Sequence, residues 1–128
     1  MNDADLDRMM QDASKHDTEF LYYLLGSQVI GKEFQPQNAG DAAEAGKGFF
    51  KRWHEEFQQV ICKKGGVYEQ FVKGMVTKKD LPKFVAIAIL TGNPSIGGVL
   101  VTELIAIYLG LLVFQTGIAA YCAGYKEE

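Results

Sequence analysis

Few residues in this chain have the type and spacing for chemistry. Asp12, His16 and Glu19 stand at i, i+4 and i+7, so a continuous helix would present two carboxylates and an imidazole on one face to a divalent metal. A solvated polar face has the same pattern, and no metal or other cofactor is expected. His54 and Cys62 would lie at two ends of one helix, about 12 Å apart along its axis, too far for a nucleophile and its base. The run His54-Glu55-Glu56 lacks the second histidine of a zinc-protease helix. The glycines of TGNPSIGG, residues 92, 97 and 98, have no lysine where a phosphate loop needs one and read as a helix–helix turn. No catalytic signature is present, and the chain is expected not to be an enzyme.

Two charge features bear on binding. Lys47, Lys51 and Arg52 alternate with Phe49, Phe50 and Trp53, a combination suited either to anionic lipid headgroups or to the solvated edge of a core helix. Glu103 is the only charge between Phe84 and Tyr125. Inside lipid it would cost a few kcal/mol, so it is expected at an interface or paired with a lysine, unless it marks a buried function.

These features hang on an unusual distribution of charge. Residues 84–128 carry one base and three acids, and Leu104–Tyr125 is a run of 22 residues without any charge. As one helix it is long enough to cross a bilayer core. The remaining 83 residues are polar and nearly balanced, within a net charge of −3 for the whole chain, which leaves no electrostatic footprint for nucleic acid. The N-terminal stretch is acidic, without a signal-peptide core, so any insertion is expected to be directed by the C-terminal segment. Cys62 and Cys122 are far apart in apolar settings and are expected to be reduced core thiols.

Small residues recur along the apolar segment. Gly98, Thr102, Ala106 and Gly110 are four apart, Gly110, Gly117 and Gly124 are seven apart, and Ala120 falls between the last two. On one helix they approximate a stripe that would admit another backbone, as in small-xxx-small association. They are the expected helix-packing interface.

The periodicity predicts an all-α fold. A first helix is expected over Asp3–Ser27, with a possible break at Asp17-Thr18 where Thr18 could cap a second piece. Residues 31–48 read as a loop containing at most one helical turn. Helices are expected over Phe49–Lys64, ended by Gly65-Gly66, over Val67–Val76, and over Leu81–Leu90 with Asp80 as cap. A long helix from Ser95 to about Gly124 completes the chain. Residues 1–79 thus form a polar amphipathic region and residues 80–128 an apolar hairpin or anchor. No β-sheet is expected. Trp53 and Phe57 are expected to be buried against the first or last helix.

Two architectures follow. In one, Leu104–Tyr125 spans a membrane, Tyr108, Tyr121 and Tyr125 contribute an aromatic belt, and Lys78, Lys79 and Lys83 hold the N-terminal part in the cytoplasm. The protein then acts as an assembly or effector subunit through helix packing, with a protein partner or a second copy. In the other, the apolar helix is the centre of a soluble bundle serving as an interaction module, expected to be oligomeric and able to release that helix into membranes. That plan is the general one of helical toxins and cell-death regulators; the likeness is one of plan, without a shared motif.

Overall fold

A computed structural model of the chain describes residues 3–30 and 39–126. Among the described residues the fold is all-α apart from one two-stranded hairpin. In order come α1 (Asp3–Ala13), α2 (Thr18–Val29), α3 (Ala39–Arg52), α4 (His54–Ile61), α5 (Val67–Val72) and α6 (Leu81–Gly92). The strands β1 (Ser95–Ile96) and β2 (Val99–Leu100) follow, then α7 (Glu103–Thr116) and α8 (Ile118–Cys122).

Local chemistry accounts for most boundaries. The first helical stretch breaks between Ala13 and Thr18, where Asp17, rather than the expected Thr18, takes the extended cap position and accepts from the Phe20 N–H at 2.9 Å. Gly65 and Gly74, both at positive φ, mark the breaks before and after α5. Pro82 sits in the first turn of α6, but Asp80 makes no capping bond; its carboxylate accepts from the Thr77 hydroxyl instead.

The expected loop over residues 31–48 is corrected in its second half, because α3 begins at Ala39; residues 31–38 lie outside the described residues. The helix expected over Phe49–Lys64 belongs to α3 and α4, with Trp53 at the joint.

The long C-terminal helix is also corrected. Gly97 and Gly98, at φ of 59° and 82°, turn a hairpin in which Ser95 pairs with Leu100 and Ile96 with Val99. Ser95 is therefore a strand residue. The cap of α7 is Thr102, whose hydroxyl accepts from the Ile105 N–H at 3.2 Å. At the other end Gly117, at φ 94°, stops α7, and α8 restarts as a separate short helix. A 14-residue helix is about 21 Å long against a bilayer core of about 30 Å. Among the described residues no helix is long and apolar enough to cross a membrane.

The apolar helix α7 is the centre of the fold. Every residue from Ile105 to Val113 is buried, and α1, α2, α6 and α8 all touch it. An all-round apolar helix has no face to give to water, so it must be enclosed or placed in lipid. The shell closes over it with Leu21 and Leu25 of α2 and Val85 and Ile89 of α6, and Phe57 and Ile61 of α4 belong to the same core, all fully buried. Each such side chain contributes about 1.5–3 kcal/mol of transfer free energy.

Candidate functional site

A close helix contact lies outside the expected C-terminal interface. Helices α2 and α3 cross with backbone against backbone. A Cβ on Gly26 would overlap the Ala42 carbonyl oxygen and stand 2.9 Å from the Gly46 nitrogen. A Cβ on Gly46 would overlap the Tyr22 carbonyl oxygen and stand 2.8 Å from the Gly26 nitrogen. The signal was in the sequence as Ala42-x-x-x-Gly46, one turn apart, with Gly26 set in an apolar helix. It was obscured because residues 39–48 read as loop.

The stripe expected along the C-terminal segment is not one face. Gly98 is in the hairpin turn; Gly117 and Gly124 hold positive φ in the breaks around α8, with open space where a Cβ would be. Ala120 is exposed. Thr102 works as a cap. Ala106 is fully buried, and Gly110 alone makes the anticipated close approach: its Cβ would stand 2.7 Å from the Pro82 carbonyl oxygen and 3.2 Å from the Ala86 nitrogen of α6.

The two cysteines are bonded to each other rather than held as reduced core thiols. Cys62, at the C-cap of α4, and Cys122, the last residue of α8, form a disulfide across a Cα–Cα distance of 5.6 Å and a sequence separation of 60. The spacing gave no hint of it, because α5, α6, the hairpin and α7 all fold out and back between the two. The joint is reinforced beside the bond. Gln58, the single buried polar side chain among the described residues, donates from Nε2 to the Tyr121 carbonyl at 2.8 Å, and the Tyr121 hydroxyl donates to the His54 carbonyl at 3.4 Å. The His54 ring meets the Tyr121 ring edge-on at 4.5 Å between centroids. Burial pushes the Tyr121 phenol well above its ordinary range, because the phenolate would lose its hydration there. Thus α8, the end of the apolar run, is fastened to α4 by a covalent bond and two hydrogen bonds.

The remaining expected residues are dispersed. Asp12 is on α1, His16 in the turn and Glu19 on α2, so the three do not share a helix face; the His16 ring instead packs near Phe20 at 4.5 Å. Among the described residues no cluster has the makings of a metal site. Lys47, Lys51 and Arg52 are exposed on α3, but Phe49 and Phe50 are buried and unavailable to a lipid surface. Trp53 is half-buried; its indole lies against Gly97 of the hairpin rather than the first or last helix, and the Arg52 guanidinium sits 5.2 Å from the ring centroid. Glu103 occupies the first turn of α7, where a carboxylate complements the positive end of the helix dipole.

Among the described residues, two clefts are prominent on the surface. One, about 560 Å³, is lined by polar residues beside the disulfide joint, including Glu55, Gln59, Lys63 and Lys126. The other, about 810 Å³, lies between α1, the start of α6 and the end of α7. Met10, Pro82, Leu111 and Phe114 supply its apolar lining, and Lys78, Lys79, Lys83, Asp7 and Asp80 its charges. Gln115 closes one end, donating to the His16 carbonyl at 3.1 Å and paired with the Thr18 hydroxyl. No family model matches this chain, and neither a curated protein nor a solved structure matches it.

Proposed function

We propose that this protein is a non-enzymatic helical interaction module that stores an apolar segment in an enclosed form and delivers it to a membrane. The observation that carries the reading is the fastening of the segment's end. As one helix, Leu104–Tyr125 would be about 33 Å long, enough to cross a bilayer core. Here the same run is bent at Gly117 into α7 and α8, and α8 is bonded to α4 through Cys62–Cys122. The bond is a latch: while it stands, the run is held folded against the shell. A dithiol reductant supplies two electrons and two protons, leaving two cysteine thiols and its own disulfide, and α8 becomes free to leave α4.

A standing membrane anchor is the weaker reading, since Ile105–Val113 of α7 is buried against its neighbours. The cytoplasmic orientation expected from Lys78, Lys79 and Lys83 depends on that anchor. A persistent disulfide favours an oxidising compartment for the stored form.

The test is flotation with phosphatidylcholine–phosphatidylserine vesicles, with the disulfide intact and after reduction. The reading expects the intact chain to stay in the supernatant without detergent and the reduced chain to float with the vesicles. Flotation of both forms alike would remove the latch, and flotation of neither would remove the membrane as destination.

A further inference from the structure

The larger cleft has the chemistry of an amphiphile site. Its floor is the surface of the central helix: Leu111 is buried there, Phe114 half-buried, and Met10 of α1 and Pro82 of α6 complete the apolar walls. Its volume, about 810 Å³, is within the range of small-molecule sites.

The charges at its rim are unevenly engaged. Lys83 pairs with Asp7 at 3.0 Å, and Asp80 accepts from the Thr77 hydroxyl at 3.2 Å. Lys78 and Lys79 form no ion pair among the described residues and stand exposed at the mouth. An apolar trough whose rim carries three lysines against two carboxylates, a net positive charge with Lys78 and Lys79 outside any ion pair, complements a molecule with an aliphatic tail and a compact anionic head. The lysine stems cover apolar surface while the ammonium groups stay in water, so head and tail are served together.

We infer that this cleft binds a free single-chain anionic amphiphile of the fatty-acid class, with its tail over Leu111, Phe114 and Met10 and its carboxylate between Lys78 and Lys79. The site is independent of the disulfide latch, and its test uses the chain with Cys62–Cys122 intact.

The probe is dodecanoate below its micelle concentration, titrated by calorimetry and followed by the methionine methyl resonances. Met10 lines the cleft, while Met75, 69% exposed, reports amphiphile coating the surface at large. Saturable binding that moves the Met10 methyl and leaves Met75 in place is expected. The pair Lys78→Glu and Lys79→Glu should weaken it about tenfold or more, the effect of removing and reversing two partly screened contacts. Lys63→Glu with Lys126→Glu, at the other cleft, should leave it unchanged. If the first pair disturbs the fold by circular dichroism, Lys78→Gln with Lys79→Gln removes the charges without reversal and should still weaken binding severalfold.

Dodecyltrimethylammonium carries the same tail with the opposite head and should not compete. Equal binding of the two amphiphiles, a response at Met75 rather than Met10, indifference to the lysine variants, or binding to anionic vesicles but not to monomeric dodecanoate would each overturn the assignment.

Discussion

The disulfide makes a quantitative demand on stability. Cys62 and Cys122 close a loop of 60 residues, and in the chain-entropy account such a cross-link destabilises the unfolded state by about 4 kcal/mol at 25 °C. A chain of 128 residues has a total stability of about 6–19 kcal/mol, so the bond carries a large share of it. With an unfolding entropy of about 2.1 cal/mol/K per residue, the loss lowers the melting temperature by about 15 °C. Reduced wild type is the cleaner comparison, because it keeps both sulfur atoms in place. Cys62→Ala with Cys122→Ala also loses packing at Cys122, which is 8% exposed, and should be somewhat less stable again. The assay is urea unfolding by circular dichroism, after thiol alkylation and mass spectrometry have established the bond in the starting material. Alkylation of both cysteines without reduction would refute the pairing. An established bond whose reduction changes stability by less than about 1 kcal/mol would refute the entropic reasoning and show an unfolded chain already held compact.

Two further outcomes follow from packing and burial. Gly26→Ala or Gly46→Ala should force α2 and α3 apart and cost about 1–3 kcal/mol, whereas Gly48→Ala, helical and with open space around its Cβ, should stabilise by about 0.5–1 kcal/mol; thermal melts that rank the three alike would dismiss the crossing. Burial raises the phenols of Tyr121 and Tyr108, and burial with Glu19 nearby raises that of Tyr22, so the folded state holds these protons more tightly than the unfolded state does. Their contribution is complete below the ordinary phenol value of about 10 and is lost as pH climbs above it; phenolate absorbance should rise in at least two stages, the later one with unfolding, and a single step near pH 10 with helicity intact would contradict the burial.

Composition and periodicity were enough for the helical class, because an apolar run of this length has few ways to satisfy its backbone except as helix. They also isolated the segment that had to be enclosed, and several punctuating residues: Gly65-Gly66, Pro82, and the joint near Asp17. What they left open was the fate of Leu104–Tyr125, since an all-round apolar helix reads the same in lipid and in a protein core. Tertiary structure decided it through the shell of α1, α2 and α6, elements outside the run, of which α1 and α2 are far from it in sequence. The same distance concealed the disulfide, because residues 60 apart meet only after the intervening helices have packed. Glycine spacing suggested a stripe, but a glycine has two uses: close approach, as at Gly110, and positive φ, as at Gly117. Spacing does not separate them; only the backbone path does. The contact of Gly26 with Ala42 and Gly46 needed α3 to exist first, and an alanine- and glycine-rich helix with few side chains to bury is formed by the partner it packs against.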